Sequence, residues 1–331
     1  MLKNTLKVNQ LTLKSRVVMP PMATAKSTAD GQVTDALISY YNERAKGGRL
    51  GLIITEHCYF TQQGKAGPGQ MSLGADADPA RIKKLTDIIH TWGVPVFAQI
   101  NHAGSAADPE VTGLEAVSAS AVVNPGKKAG IPDIMPRALT QSEILEIEDE
   151  FVAAALKAKA AGYDGIEIHS AHGYLLDQFL SPLTNKRTDA YGAQTIENRT
   201  RFQTEILQKV RAALGADYPI AIRVGGCDYM EGGTTIEDGV AASLIFQENG
   251  ADLIDLSGGM CRFTRADNTE PGYFTDLSKA VKEKVSVPVL VTGGITTAEQ
   301  AERILREEKA DLIGIGRAIM KNADWTTEQL G

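Results

Sequence analysis

Cysteine is scarce in this chain: Cys58, Cys227 and Cys261 are the three in 331 residues, odd in number and far apart. No Cys-x-x-Cys pair occurs, so neither a zinc site, an iron–sulfur site nor a disulfide framework is indicated. The three read as packing residues rather than nucleophiles. Positive charge is not in excess either. A net charge of −7 disfavours nucleic acid or an anionic membrane surface as the main partner. No apolar run reaches membrane-spanning length, and none follows the first residues, Met1 to Lys7. The chain is therefore expected to be soluble and cytoplasmic, and 43% hydrophobic residues can fill a sizeable core.

Short runs rich in Val and Ile recur along the chain, each followed by a helical pattern. They predict strands at Arg16–Met22, Leu52–Thr55, Val94–Ile100, Gly165–His169, Ile220–Val224, Leu253–Ser257, Val289–Thr292 and Leu312–Ile315. The intervening helices are expected at Asp35–Lys46, Pro79–Thr91, Gln141–Ala161, Ile196–Leu214, Ile236–Asn249, Thr275–Lys284 and Thr297–Arg306. Thr34, Asp78 and Thr140 stand where N-caps belong. Continuous rather than alternating apolar runs indicate strands covered on both faces. Eight such units predict an α/β fold, a (β/α)8 TIM barrel, as a single domain over residues 1–331. A doubly wound sheet needs a glycine-rich fingerprint after its first strand, and Pro20-Pro21-Met22-Ala23 stands there instead. Residues 102–140, rich in Gly, Pro, Ala and Ser, predict an extended loop after the third strand that caps the barrel mouth.

Barrel enzymes carry their chemistry where strands become loops. The fourth strand ends in His169-Ser170-Ala171-His172-Gly173-Tyr174, which places two of the chain's five histidines three residues apart and a tyrosine just beyond. Imidazoles donate to a carbonyl oxygen or bind a metal, and a tyrosine hydroxyl can hand over a proton. A metal reading needs a third ligand, for which Glu167, Glu56, His57 or His102 are candidates; it predicts a barrel lyase or hydrolase. Gln99, Asn101, Arg223 and Ser257 join the same rim. Arg223 has a structural alternative, the neutralisation of Glu167 or Asp255. The last strands end in Thr292-Gly293-Gly294 and Gly314-Ile315-Gly316-Arg317, where bare backbone N–H groups and a guanidinium suit a phosphate.

The block from His169 to Gly192, with Glu197-Asn198-Arg199, closely resembles the Old Yellow Enzyme family of FMN-dependent ene-reductases. So do Val18-Met19-Pro20-Pro21-Met22, Gln99-Ile100-Asn101-His102-Ala103-Gly104 and the terminal Gly314-Ile315-Gly316-Arg317. The resemblance implies a barrel with FMN at its mouth and NADH or NADPH as reductant. Pro20, Pro21, Met22 and Ala23 would line one side of the flavin. Gln99 would bond its pyrimidine edge, and Arg223 would lie at the N1/O2 side. Gly293, Gly294, Gly316 and Arg317 would hold the phosphate. His169 and His172 match a pair that binds the oxygen of an activated alkene of the enone or enal type. Flavin N5 would then deliver hydride to the β-carbon, and Tyr174 would protonate the α-carbon. Ala23 stands where relatives often carry Cys or Thr against the flavin, so altered flavin reduction kinetics are expected. The cysteine cluster and second flavin domain of larger relatives are missing, which implies direct reduction by the nicotinamide. A flavin-binding redox sensor without turnover is the other alternative, and a homo-oligomer is compatible with all of these.

Overall fold

Eight parallel strands close into a barrel in a computed structural model that describes residues 1–126 and 133–331. In chain order they are β1 (Val17–Met19), β2 (Leu52–Ile54), β3 (Val96–Ile100), β4 (Gly165–Ser170), β5 (Ile220–Cys227), β6 (Leu253–Gly258), β7 (Val289–Thr292) and β8 (Leu312–Gly314). Each pairs with the next, and β8 pairs with β1 to complete the ring. Seven helices return the chain between strands: α1 (Asp35–Ala45), α2 (Pro79–His90), α3 (Gln141–Ala160), α4 (Ile196–Leu214), α5 (Ile236–Glu248), α6 (Thr275–Lys282) and α7 (Ala298–Arg306). The expected (β/α)8 barrel is therefore the observed fold.

Local chemistry sets the boundaries. The hydroxyls of Thr34, Thr140, Thr195, Thr235 and Thr297 each accept a backbone N–H from the first turn of the helix that follows, satisfying donors the helix itself cannot. Glu143 reciprocates at Thr140 to form a capping box, and Arg137 braces the same carboxylate at 2.7 Å. Two strands are shorter than expected because of proline. The first stops at Met19, before Pro20 and Pro21, and the third starts at Val96, after Pro95; a ring nitrogen has no N–H for the ladder.

The barrel interior is packed, not hollow. Val18, Leu52, Ile54, Phe97, Ala221, Leu253, Leu290 and Leu312 form its lower layer. Val8 and Leu13 join them from an antiparallel hairpin, Leu6–Val8 paired with Leu11–Leu13, that plugs the bottom. No long apolar run or strong turn motif marks this hairpin in the sequence. The long loop is also more ordered than its composition suggests. It holds a 3-10 turn at Gly104–Ala106, a short helix at Pro109–Thr112, and a parallel pairing of Val117–Ser118 with Arg137–Ala138. Its residues 127–132 lie outside the described residues. No described helix is long and apolar enough to cross a membrane.

Candidate active site

At the carboxyl ends of the strands a cavity of about 720 Å³ opens opposite the hairpin plug. That size suits a cofactor-scale ligand. Pro20, Pro21, Met22, Ala23, Gln99, His169, His172, Tyr174, Arg223, Gly293, Gly294, Gly316 and Arg317 all line it. Residues read from six separate stretches of sequence thus meet in one space.

On the β7–β8 side the wall is made of bare backbone. Gly294 has φ +67°, and a Cβ there would sit 2.7 Å from the Tyr273 ring; at Gly316 a Cβ would meet Met22 Sδ at 3.0 Å. Arg317 lies beside them, its guanidinium donating to the Tyr273 hydroxyl at 3.0 Å. This donor set fits a phosphate.

Across the cavity the β4 end supplies three rings. The His169 centroid is 5.1 Å from His172 and 5.1 Å from Tyr174, both edge-on. Burial, reinforced by nearby cationic groups, pushes both imidazoles well below their ordinary pKa, so they are neutral at physiological pH. The Ala171 N–H donates to His169 Nδ1 at 3.3 Å, which leaves the ring proton on Nε2. His172 Nε2 is 2.7 Å from the Ser257 hydroxyl, and the residue is held at φ +62°. Tyr174 caps the short helix Leu175–Leu180.

Beneath these groups the register of β3 to β6 aligns a polar belt: Gln99 opposite Glu167, and Arg223 between His169 and Asp255. Gln99 Nε2 donates to Glu167 Oε1 at 2.8 Å. Burial, with Asp255 nearby, holds the Glu167 carboxyl protonated well above its usual range. Arg223 Nε stands 3.2 Å from Asp255 Oδ2 without hydrogen-bond alignment, so it both neutralises a buried acid and faces the cavity.

Three contributors went unassigned in the sequence or were read differently. His57, considered there as a metal ligand, lines the cavity and stacks on Tyr174 at 5.4 Å and 29°. Its Nδ1 accepts from the Gln70 and Asn101 amides at 3.2 and 3.1 Å, so its proton lies on Nε2. Glu56, one residue earlier, is buried and accepts the Thr24 N–H at 3.1 Å; burial raises its carboxyl to about 7. Arg262, in the turn after β6, lines the cavity beside Tyr174. No local motif marks it. Among the described residues no group of three or more His, Cys, Asp or Glu is arranged to hold a metal ion. Glu167 Oε1 accepts from Gln99, and His102 Nδ1 accepts the Gly104 N–H at 3.1 Å. The metal reading thus lacks its third ligand here.

Fold and cavity together fit a barrel enzyme with room for a phosphorylated cofactor at its mouth. The model of the NADH:flavin oxidoreductase / NADH oxidase family matches residues 2–329. The NADH oxidase of Thermoanaerobacter brockii is 39% identical over 325 residues, covering 96% of this chain and 49% of that protein. The NADPH dehydrogenase of Halalkalibacterium halodurans is 37% identical over 322 residues, covering 97% and 91%. The chain thus spans about half the length of the first relative and most of the second. The solved Old Yellow Enzyme homologue of Zymomonas mobilis superposes with a TM-score of 0.86 at 27% identity, covering 99% and 91%. The chain belongs to this NADH:flavin oxidoreductase family, to which Old Yellow Enzyme also belongs and whose flavin is FMN.

Proposed function

We propose that the chain is an FMN-dependent ene-reductase, which reduces activated C=C bonds of α,β-unsaturated carbonyl or nitro compounds with NADH or NADPH. The observation that carries the reading is the convergence of two neutral imidazoles and a tyrosine on the cavity that the phosphate-type wall also borders. When bound, FMN supplies the two-electron chemistry, accepting hydride from the nicotinamide and passing it to the alkene. The protein's residues do the rest. Gly293, Gly294, Gly316 and Arg317 hold the phosphate, while Pro20, Pro21, Met22, Ala23, Gln99 and Arg223 border the flavin ring. His169 donates from Nε2. With the Ser257 hydroxyl donating to His172 Nε2, His172 keeps a proton on Nδ1 as the second donor. Both polarise the activating oxygen and draw electron density from the β-carbon. Tyr174 then gives its hydroxyl proton to the α-carbon.

The names of the two relatives support a nicotinamide reductant, and three free cysteines suit a reducing, cytoplasmic setting. The test is an absorbance spectrum of purified protein, first under anaerobic NADH and then with cyclohexenone. Flavin bands that bleach and return support the cycle. Bands that bleach and stay bleached leave a flavin protein without ene-reductase turnover, and no flavin uptake at all removes the reading.

A further inference from the structure

Four arginines line the main cavity: Arg223, Arg262, Arg265 and Arg317. Two are paired with acids. Arg223 faces Asp255 at 3.2 Å, and Arg265 reaches both Asp267 and Asp276 at 2.7 Å. Arg317 meets no carboxylate among the described residues and belongs to the phosphate wall. Arg262 is the remaining one. Its Nη1 donates to the Gly126 carbonyl at 2.9 Å, and its other N–H groups have no partner among the described residues. A guanidinium carries five donors and stays charged, so one carbonyl contact leaves most of its capacity open.

The position of Arg262 indicates what the open donors meet. Its Cζ lies 5.7 Å from the Tyr174 ring centroid, beside the candidate proton donor rather than beside the phosphate wall. It is also one of a few side chains, with Ala23, His57 and Tyr174, that border both the main cavity and a second cavity of about 400 Å³. Walls of Ala25, Ala66, Pro68 and Val111 make that annex mostly apolar, with Glu56 and Asp108 as its acids. Glu56 is turned to Thr24, and Asp108 caps the Pro109–Thr112 helix. Arg262 itself is held at φ +62°, a left-handed conformation that a side chain with Cβ rarely adopts without surrounding constraint.

We infer that Arg262 is the receptor for a carboxylate carried by the substrate, so that preferred substrates bear an acid group in addition to the activating oxygen. The rest of such a molecule extends into the annex. This rests on the ene-reductase reading only in assigning that activating oxygen to His169 and His172. A bidentate guanidinium–carboxylate contact is charge-assisted, and such bonds are worth about tenfold to a hundredfold in affinity. The other source of a matching anion is a phosphate of the nicotinamide reductant.

The experiment compares 3-hydroxybenzoate with its methyl ester as ligands of the FMN-loaded protein, by calorimetry, in wild type, Arg262→Met and Arg262→Lys. Wild type should bind the acid at least about tenfold more tightly than the ester. The Met variant should abolish that preference, and the Lys variant should restore part of it. Equal affinities in wild type, or an acid preference that survives in Arg262→Met, overturn the inference. So does a Met variant that keeps the preference yet needs far more NADH to reduce its flavin, since the anion then belongs to the reductant. If the Met variant does not fold, the wild-type and Lys ratios decide. Failure of cyclohexenone to reoxidise the reduced wild type would count against the ene-reductase reading instead, because the acid-to-ester ratio is read without turnover.

Discussion

At the residue scale, Tyr174 sits between a stacked His57 and an edge-on His169, with Arg262 also beside its ring. The Ser257 hydroxyl, on the same wall, is engaged with His172. Tyr174→Phe should therefore slow alkene reduction by about 10²–10⁴-fold while affecting flavin reduction by NADH far less. Stopped-flow measurement of the two half-reactions separates them, and an equal loss in both would falsify the proton-donor role. Glu56 gives a prediction in pH. Burial raises its carboxyl to about 7 in the folded protein from an ordinary 4.5. Between those values the folded state holds a proton that the unfolded state has released, so stability falls as pH rises through that window and levels off above it. Glu56→Gln has no such proton. Its stability relative to wild type should rise from pH 5 to pH 8, by an amount on the order of 3 kcal/mol. Denaturant midpoints at the two pH values check this, and a constant offset counts against it.

At the element scale, the turn after β7 and the hairpin at the barrel bottom serve separate ends of the molecule. Gly294→Ala would put a Cβ at 2.7 Å from the Tyr273 ring on a backbone with φ +67°. It should weaken FMN binding markedly and leave the barrel folded, as flavin titration alongside circular dichroism would show. Leu13→Ala should do the reverse. It opens a void beneath the barrel, costing about 2–5 kcal/mol, and leaves FMN affinity unchanged because the site is at the opposite end. The barrel strands were legible because both their faces are buried, which makes Val17–Met19 and Leu52–Ile54 unbroken apolar runs and leaves single polar residues, Gln99, Glu167, Arg223 and Asp255, within otherwise mostly apolar strands. The hairpin was not. Its strands are three residues each, and only Asn9, now seen at φ +52°, hinted at the turn. His169, His172 and Tyr174 were legible because one strand end delivers all three. Arg262 was hidden because its partner, Gly126, is 136 positions away, in the loop after β3.

At the scale of the whole molecule, a ligand that binds only the folded barrel must stabilise it. FMN at one hundred times its Kd should add about 2.7 kcal/mol and raise the melting temperature of flavin-free protein accordingly. A melting curve that ignores FMN would remove the cavity's role as a flavin site, whatever the sequence likeness.

The hairpin plug has one more consequence. Val8 and Leu13 seal the interior from below with side chains that no solvent reaches. The carboxyl of Glu167 and the amide of Gln99 are therefore expected to exchange with bulk water through the mouth rather than through this end. In isotope terms, these groups should trade hydrogen for deuterium at a rate set by traffic at the rim, and whatever occupies the mouth acts as the stopper.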